Sequence, residues 1–531
     1  MNLNDIKGFL INFDQEKAFD KIKHEFLIKV LKKMNLPVEF VRWIKILYKD
    51  IKSKIQVNGQ LTEEILITRS VRQGCPLSMN LYALAIETLA SSIRRNKNIK
   101  GINIPNLKDP IKLFQHADDC TTITTDIKDY YLFMNEFEKF GKASGAKINK
   151  SKTEILNICN APEEDACLKL LTKESVKTLG IWFGKSSQSQ SWLPIIHSIG
   201  NTVKKWENRK LNFKHKLIVI NTYIISKILF VARVVSPLPE YITQINRYIY
   251  TFFWGRSNSE YINRKSLSQM YDRGGQQIPY INLKIDAMLL QRATCFLQGN
   301  TSVWTCFMIY YLGYTLREFN AELGNNKYQH TMILPRVYTK LKALLINHKN
   351  KIDLQSINPK NIYKKILEID NHKHKIEIKF SYVDFTDIWS NIRNIKSNYQ
   401  QDFIYRVVHN ALPTKDNQKR RNYSNVFPIC FFCNSENETL NHLLLHCKKL
   451  RLFRKYINDF IRIEINDETF VLNELHCLLF NIPQELFPSM YAYVYSIYQI
   501  SYVNNSGGLI HTLNTTFHRN RDIYLDKNNI T

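Results

Sequence analysis

Apolar positions in the first 185 residues follow both the strand period and the helix period. The run GFLINFD at 8–14 is continuously apolar before its final carboxylate, which predicts a buried strand. Apolar residues three and four positions apart at 26–34 predict an amphipathic helix. Asn58 and Gly59 separate two β-type runs and predict a hairpin, because both residues tolerate a positive φ. Strands and helices thus mix without strict alternation, which predicts an α+β fold.

The same patterns predict the elements further along the chain. Strands are expected at 111–114, 121–125, 153–158 and 176–183, and helices after Pro37, at 81–95 and at 129–144, with Gly145 as a C-cap. The spacing is helical from about residue 192 to 254 and again from about 276 to 400. After about residue 504, the sequence NNSGG predicts a loose tail.

The charge balance indicates a polyanionic partner. The chain has 74 Lys and Arg against 47 Asp and Glu, a net charge of +27, which suits nucleic acid or an anionic membrane surface. No run of 18 apolar residues occurs and the N-terminus has no signal pattern, so we expect neither a membrane partner nor secretion. Ten cysteines are too few for a disulfide scaffold, which favours a reducing intracellular compartment.

Three aspartates stand at positions suited to chemistry. Asp14 ends the first predicted strand, and Asp118 and Asp119 stand at a predicted turn. Adjacent carboxylates repel each other unless a cation offsets their charge, and three brought together would form an oxygen-ligand site for Mg²⁺. Taken alone, an Asp-Asp pair is more often a solvated turn. The larger pattern is an ordered set of five segments: FDQEKAFD, RQGCPLS, HADD, GAKINKSKTEIL and LGIWFG.

This ordered set resembles the palm motifs A to E of the reverse transcriptases of non-LTR retrotransposons. The resemblance implies that Asp14, Asp118 and Asp119 hold two catalytic Mg²⁺ ions. It also implies a nucleotide pocket, in which one aromatic residue excludes a ribose 2′-OH, two residues shape the space for the base, and a lysine lies near the triphosphate. These are Phe19 (the aromatic gate), Gln73 and Gly74 (the pocket), and Lys152 or Lys150 (the lysine).

The implied activity is RNA-directed DNA polymerisation, in which a primer 3′-OH attacks a dNTP on an RNA template. Two features depart from the family pattern. His116 replaces the usual aromatic residue before Ala-Asp-Asp. The chain also begins at motif A, whereas in the family the fingers precede this motif in the sequence. We therefore expect a truncated copy or a partial gene model with fingers mostly missing, and a partner chain is a further candidate source of fingers or endonuclease. The alternative is a catalytically inactive RNA- or DNA-binding protein derived from a retrotransposon.

A basic cluster follows the palm motifs, where the resemblance implies a helical thumb that grips the template–primer duplex. Exposed cations on helices neutralise phosphates, although a solvated helical face has the same composition. Trp206, Phe253 and Trp254 in this segment are expected to be core residues. The cations proposed for nucleic-acid binding are Lys204, Lys205, Arg209, Lys210, Lys214 and Lys216.

Near the C-terminus, a Cys-x2-Cys-x8-His-x4-Cys array predicts a structural Zn²⁺ site. Its residues are Cys430, Cys433, His442 and Cys447, with His446 as an alternative ligand that fits the array less well. Three thiolates and one imidazole leave no open position, so catalysis is not expected there. The array resembles the zinc-binding module that follows the polymerase in many of these elements. In that setting, Arg406 and the run KRR at 419–421 would contact phosphates.

These observations predict five segments. They are a palm at 1–185, a helical thumb at 186–270, a helical connector at 271–400, a zinc-binding module at 401–470, and a C-terminal helix with a loose tail at 471–531. The implied partners are an RNA template, a DNA primer and dNTPs. The implied locations are the nucleus and a cytoplasmic ribonucleoprotein.

Overall fold

The computed structural model describes residues 7–528, except for 73, 162–164, 256–259, 301, 320, 322, 324–325, 329–333, 371, 424 and 504–508. The chain divides into two compact units. The first consists of Met1–Pro194, Val234–Ser236 and Leu289–Lys360, and the second consists of Ile195–Arg233, Pro237–Met288 and Asn361–Thr531. Each unit is therefore assembled from several segments of the chain.

All the described strands lie in the first unit. They are β1 (Gly8–Phe13), β2 (Lys52–Ser53), β3 (Gln56–Val57), β4 (Gln60–Leu61), β5 (Ile65–Leu66), β6 (Leu113–His116), β7 (Asp119–Thr124), β8 (Glu154–Ile158), β9 (Thr172–Lys173), β10 (Ser175–Thr178) and β11 (Ile181–Gly184). The central sheet has the order β6-β7-β1-β8-β9, and β2–β5, β3–β4 and β10–β11 form two-stranded pairs. Within the central sheet, β1 runs antiparallel to both of its neighbours.

Helices account for most of the remaining described chain. Up to the middle of the chain they are α1 (Ala18–Lys21), α2 (His24–Lys33), α3 (Val38–Leu47), α4 (Ser78–Arg95), α5 (Asp129–Ser144), α6 (Ala166–Lys169), α7 (Ser187–Glu207), α8 (Phe213–Val219), α9 (Ser226–Ala232), α10 (Pro239–Trp254), α11 (Arg264–Ser268) and α12 (Ile281–Leu297). Those that follow are α13 (Val303–Arg317), α14 (Arg336–His348), α15 (Ile362–Asp370), α16 (Lys375–Lys379), α17 (Phe385–Asn394), α18 (Asn398–Val408), α19 (Lys415–Arg420), α20 (Arg451–Ile465), α21 (Glu474–Leu479), α22 (Phe487–Val503) and α23 (Leu509–Asn528).

The core of the first unit lies on one face of the central sheet. Phe9, Ile11 and Phe13 alternate along β1 and are at most 2% exposed, because successive side chains of a strand point to opposite faces. The Phe13 ring contacts the rings of Phe133 and Phe137 on α5, at centroid distances of 6.2 and 4.7 Å. Helices α2, α4 and α5 pack together over this face. The sheet is therefore fixed by burial on one side, while its strand ends carry polar residues.

Several predicted elements agree with the structure, and two predictions are wrong. The hairpin at Asn58 and Gly59 is present, and both residues have positive φ, 51° and 85°. The segment predicted as a strand at 176–183 is instead the β10–β11 hairpin, which turns at Leu179 and Gly180, both also with positive φ.

The tail predicted to be loose contains α23, a 20-residue helix. It packs against α22, and the side chains of Leu513 and Phe517 are fully buried. The sequence NNSGG falls on 504–508, outside the described residues. Polar residues on the exposed face of α23 concealed the apolar stripe that holds it in place.

One helical stretch in the described part of the chain, Phe213–Ala232, meets the length and hydropathy of a membrane span. Its mean hydropathy is 1.4 over 20 residues, and 44% of it is buried inside the protein. The expectation that no such stretch exists was based on uninterrupted apolar runs, and Lys214, Lys216 and Lys227 interrupt this one. A core helix has the same length and composition, so this stretch does not by itself indicate a membrane.

Candidate active site and metal centre

Asp14, Asp118 and Asp119 come together at one end of the central sheet. Phe13 lies opposite Cys120 in the β1–β7 pair, so the residues that follow and precede them, Asp14 and Asp119, are neighbours across the two strands. His116 pairs with Asp119 in the β6–β7 hairpin, which leaves Ala117 and Asp118 as the turn. All three aspartates are exposed. We name these three residues the carboxylate edge.

The carboxylate edge is electrostatically unfavourable for the protein alone. Partial burial raises the pKa of Asp119, and the negative charges of Asp118 and Asp14 raise it further, whereas His116 acts in the opposite direction. The carboxylates therefore repel one another at neutral pH. Carboxylate oxygens are the hard ligands that Mg²⁺ prefers, and a divalent cation would relieve this repulsion. The donor set fits Mg²⁺ on these grounds.

Lys152 lies beside the carboxylate edge, and Lys150 does not take the same position. The Lys152 Nζ is 4.0 Å from Asp14 Oδ2, at an exposed site, and Asn149 N donates a 2.8 Å hydrogen bond to Asp14 O. A cavity of about 470 Å³ is lined by Asp14, Asp119 and Lys152, and Lys150 is absent from its lining. Lys173, Lys177 and Thr178 lie on its wall, so the cavity is largely polar and carries several positive charges.

A buried polar network holds the turn that carries Asp118. Gln15 is 7% exposed, and its Nε2 donates to Asp118 O at 3.3 Å. The Tyr82 hydroxyl in turn donates to Gln15 Oε1 at 3.3 Å. Burial raises the pKa of Tyr82, and the charge of Asp118 adds to this, so the phenol stays protonated. The sequence indicates a role for neither residue, because Gln15 lies in a polar run and Tyr82 occupies an apolar position of a helix that is expected to be plain core.

Of the predicted aromatic gate and the two residues predicted to shape the space for the base, the gate and one shaping residue are described. Phe19 is half-buried on α1, and its ring stacks on Tyr82 with a centroid distance of 4.3 Å. Gly74 is exposed and has φ +83°, with nothing within 4 Å of the position that a Cβ would take, so backbone conformation and not crowding favours glycine. Gln73 lies outside the described residues.

Five of the six predicted thumb cations are exposed, and Lys216 is different. Lys204, Lys205, Arg209, Lys210 and Lys214 are exposed, and the Arg209 guanidinium lies 4.5 Å from the Trp206 ring centroid. The Lys216 Nζ donates a 2.8 Å hydrogen bond to Phe253 O. Burial, followed by the charge of Arg406, lowers the pKa of Lys216 to about 8. Phe253 is fully buried, as expected of a core residue.

Cys430, Cys433, His442 and Cys447 form a compact cluster in the second unit, which we name the Cys3His cluster. Their ligand atoms all lie within 4.8 Å of one another. The Cys430 and Cys447 sulfur atoms are 4.0 Å apart, and Cys433 Sγ is 3.4 Å from His442 Nε2. His446 is exposed and is not part of the cluster. The structure thus selects His442 over the alternative ligand.

The donor atoms of the Cys3His cluster fit zinc in kind and in spacing. Tetrahedral Zn–S bonds of about 2.3 Å and Zn–N bonds of about 2.0 Å separate two sulfurs by about 3.8 Å, and sulfur from nitrogen by about 3.5 Å. Both separations match the observed ones closely. Glu436 Oε2 lies 3.0 Å from His442 Nδ1, which fixes the imidazole with its Nε2 toward the thiols. Glu436 was missed by the sequence reasoning, although it lies between two predicted ligands.

Loop and turn geometry bring these four residues together. The Cys430 carbonyl accepts a hydrogen bond from Asn434 N at 3.0 Å, which closes the first Cys-x2-Cys loop. His442–His446 forms one π-helical turn, and Cys447 N donates to His442 O at 2.7 Å. The contact between the two sulfurs raises the pKa of Cys430 and lowers that of Cys447.

The described cations near this module are partly engaged within the protein. Arg406 lies over the Phe213 ring at 4.7 Å, and Arg420 pairs with Asp416 at 2.8 Å. Arg421 lies 4.4 Å from the Tyr261 ring centroid. Lys419 is exposed. The three arginines thus have structural contacts that the sequence did not reveal.

Comparison with known families identifies both parts of the chain. Residues 2–183 match the family "Reverse transcriptase (RNA-dependent DNA polymerase)", and residues 360–453 match the family "zinc-binding in reverse transcriptase". The carboxylate edge lies in the first match and the Cys3His cluster in the second. The prediction of a polymerase palm with a C-terminal zinc-binding module is therefore confirmed.

The chain is also similar to proteins of transposable elements. It is 28% identical over 304 residues to the transposon TX1 uncharacterized 149 kDa protein of Xenopus laevis, which covers 56% of this chain and 23% of that protein. It is 23% identical over 235 residues to the retrovirus-related Pol polyprotein from the type-1 retrotransposable element R2 of Popillia japonica, which covers 42% of this chain and 32% of that protein. The matches thus span about a quarter to a third of these relatives' lengths.

Among solved structures, telomerase from Candida albicans in complex with a telomeric RNA fragment is similar at 13% identity and a TM-score of 0.25. The match covers 46% of this chain and 44% of that one, and a likeness at this score does not bear on the fold. The assignment therefore depends on the two family matches and on the TX1 and R2 relatives. The chain contains a reverse transcriptase domain at 2–183 and a zinc-binding module at 360–453, and it is similar to proteins of the non-LTR retrotransposons TX1 and R2.

Proposed function

We propose that this chain acts as an RNA-directed DNA polymerase and that the carboxylate edge binds two Mg²⁺ ions. The observation that carries this proposal is the strand register, which makes Asp14 and Asp119 neighbours and keeps Asp118 in the adjoining turn. When bound, the two ions activate the primer 3′-OH and stabilise the leaving pyrophosphate of a dNTP. The exposed position of the three carboxylates leaves room for metal and substrate oxygens together.

The surrounding residues support this reaction in distinct ways. Gln15 holds the carbonyl of Asp118, so the turn keeps its position when the carboxylates repel each other. Lys152 offers a positive charge close to Asp14, where the triphosphate of an incoming nucleotide would need one. Phe19 is braced against Tyr82, and this fixed ring is our candidate for the gate that excludes a ribose 2′-OH.

We propose that the exposed cations of α7 and the segment after it bind the template–primer phosphates. Lys204, Lys205, Arg209, Lys210 and Lys214 make up this set, and Lys216 is omitted because its amine is engaged with Phe253 O. Each phosphate neutralised should steepen the log–log salt dependence of duplex binding by about 0.9. We further propose that the zinc-binding module contacts the template RNA, and that the protein works in a nuclear and cytoplasmic ribonucleoprotein.

Primer extension on poly(rA)/oligo(dT) with Mg²⁺ tests the polymerase proposal. The expected result is incorporation of dTTP that disappears with EDTA and in Asp118→Asn, which keeps the shape of the side chain but removes its charge. Asp50→Asn is the matched control, because Asp50 is exposed shortly after the end of α3 and outside the cavity, and it should retain full incorporation.

Two outcomes would reject this proposal. Equal incorporation by the wild type and Asp118→Asn would mean that the carboxylate edge is not the site. RNA binding without any incorporation by the wild type would instead favour a nucleic-acid-binding protein that uses only the basic residues and the zinc-binding module.

A further inference from the structure

A second polar cavity, of about 440 Å³, lies within the second unit. It shares no lining residue with the carboxylate edge or the Cys3His cluster. Its size falls within the range of about 300–1,000 Å³ that is typical of small-molecule sites. The residues that line it are Glu260, Tyr261, Ile262, Asn263, Arg264, Ser266, Lys375, Ile376, His409 and Arg421.

Arg421 is held rigidly at this cavity without an acidic partner. Its guanidinium lies 4.4 Å from the Tyr261 ring centroid and donates to Asn417 O and Tyr261 O, both at 3.1 Å. Arg421 forms no ion pair with a carboxylate of the residues that the structure describes. A guanidinium has five N–H donors, so donors remain after these two hydrogen bonds. A half-buried cation of this kind is costly unless an anion compensates it.

The other charged groups of the cavity do not supply that anion. Among the described residues of the lining, Glu260 is the one acid, and it already accepts from Arg264 Nε at 2.8 Å and from Arg264 Nη2 at 2.5 Å. Lys375 is exposed, and its amine has no ion pair within the described chain. Burial lowers the pKa of His409 to about 3, so its imidazole is neutral at pH 7. Arg421 and Lys375 thus leave two positive charges uncompensated.

We propose that this cavity binds a terminal phosphate group, with Arg421 and Lys375 as its two cationic ligands. A phosphate monoester carries a charge of about −1.5 to −2 at pH 7, which matches the two free cations. The planar guanidinium also suits bidentate contact with phosphate oxygens. The phosphate would come from a free nucleotide or from the 5′ end of an RNA strand, and the two sources share this chemistry.

Isothermal titration calorimetry on the full chain separates these sources. The ligands are AMP, adenosine, and uridine decamers with a 5′-phosphate or a 5′-hydroxyl. If free nucleotides are the ligand, AMP binds and adenosine does not. If strand ends are the ligand, the phosphorylated decamer binds more tightly than the hydroxyl decamer, by about tenfold or more for a charge-assisted contact.

Three variants connect this binding to the cavity. Arg421→Gln and Lys375→Gln should each weaken binding of the phosphorylated ligand by about tenfold. Lys396→Gln is the matched control, because it removes the same charge from an exposed residue of the same unit outside the cavity lining, and solvent screening should limit its effect to about twofold.

The proposal is overturned if neither AMP nor the 5′-phosphate is preferred, or if Lys375→Gln behaves like Lys396→Gln. Lys375→Gln keeps the test decisive even if Arg421→Gln fails to fold, because the Lys375 side chain has no hydrogen bond or ion pair in the described structure that folding could depend on. Zinc content and melting temperature report folding for each variant. The measurement needs no nucleotidyl transfer, so its outcome is independent of the polymerase proposal.

Discussion

The carboxylate edge and the Cys3His cluster are both built to hold cations, but they differ in what the protein does without them. The edge consists of three exposed carboxylates that repel each other, on a sheet whose core is already buried. The cluster consists of four side chains on a loop and a single π-helical turn, with Cys430 and Cys447 fully buried. Metal at the edge should therefore govern chemistry, whereas metal at the cluster should govern folding.

The difference follows from what fixes each set of ligands. The backbone register of β1, β6 and β7 positions the aspartates, and Gln15 and Tyr82 add a polar brace. The zinc ligands lie outside the described sheets, and single hydrogen bonds close the Cys-x2-Cys loop and the π-helical turn, while 429 and 437 form an isolated bridge beside them. A site held by a sheet survives metal loss, and a site held by its own metal does not. The following variants test this contrast.

Cys447→Ala should have the largest effect. It removes one of the four zinc ligands. In zinc-finger peptides, the apparent free energy of binding structural Zn²⁺ is of the order of 10–16 kcal/mol, so we expect a large loss here. We expect loss of stoichiometric zinc and loss of hydrogen-exchange protection around 430–450. Inductively coupled plasma mass spectrometry and hydrogen exchange measure the two effects.

Cys477→Ala is the control for this variant, because Cys477 is also a fully buried thiol of the second unit but does not belong to the cluster. It should retain zinc and protection at 430–450. Full protection in Cys447→Ala would contradict the view that metal holds this module together.

Glu436→Gln should weaken zinc binding without abolishing it. The carboxylate fixes the His442 ring through Nδ1, and loss of such an outer partner typically costs about 10–100-fold in metal affinity. Competition with a chromophoric chelator measures the affinity. Glu468→Gln, at an exposed glutamate of the same unit, should leave the affinity unchanged. An equal affinity in both variants would mean that Glu436 does not orient the imidazole.

The two regions also differ in how far the sequence predicts them. The zinc ligands follow from spacing alone, because a short loop and one turn bring residues close in the chain close in space. Asp14 is more than 100 residues from Asp118 and Asp119, and only the order of motifs connects it to them before the strand register is known.

Residues that act through packing were harder to find. Gln15 stands in the polar run DQEK and Tyr82 at an apolar position of a helix, and their hydrogen bond depends on the way α4 packs against the sheet. Lys216 looks like its exposed neighbours in the sequence, yet the helix turns its amine toward the Phe253 carbonyl. The strand predicted at 176–183 failed because Leu179 adopts a positive φ, which is rare for a leucine.

Tyr82→Phe tests whether the polar brace, the hydrogen bonds from Tyr82 to Gln15 and from Gln15 to Asp118, contributes to primer extension. It deletes the hydroxyl that donates to Gln15 Oε1 and keeps the ring that stacks on Phe19. We expect a loss of about 1 kcal/mol in the free energy of unfolding and about a fivefold fall in primer extension, since one hydrogen bond is worth about that much.

Tyr131→Phe makes the same chemical change where the hydroxyl contacts Asp165 at an exposed site. It should leave primer extension unaltered. If Tyr82→Phe lowered stability but left the extension rate and its KM for dTTP intact, the brace would be structural only.

Asp119→Asn should have the smallest effect on stability. The sign of the change in melting temperature tests the repulsion at the carboxylate edge. Because the pKa of Asp119 is raised by burial and by Asp118 and Asp14, the folded protein disfavours its charged form. The stability that this group contributes is therefore present below its unfolded pKa, 3.8, and is lost as pH rises through the higher folded value. At pH 7 without metal, Asp119→Asn should melt at a slightly higher temperature than the wild type, and the difference should vanish near pH 3.

Mg²⁺ should raise the melting temperature of the wild type and of the control Asp50→Asn, but raise that of Asp119→Asn less. An equal Mg²⁺ response in all three proteins would show that the repulsion at this edge is not relieved by the cation, and the contrast between the two regions would then lose its electrostatic basis.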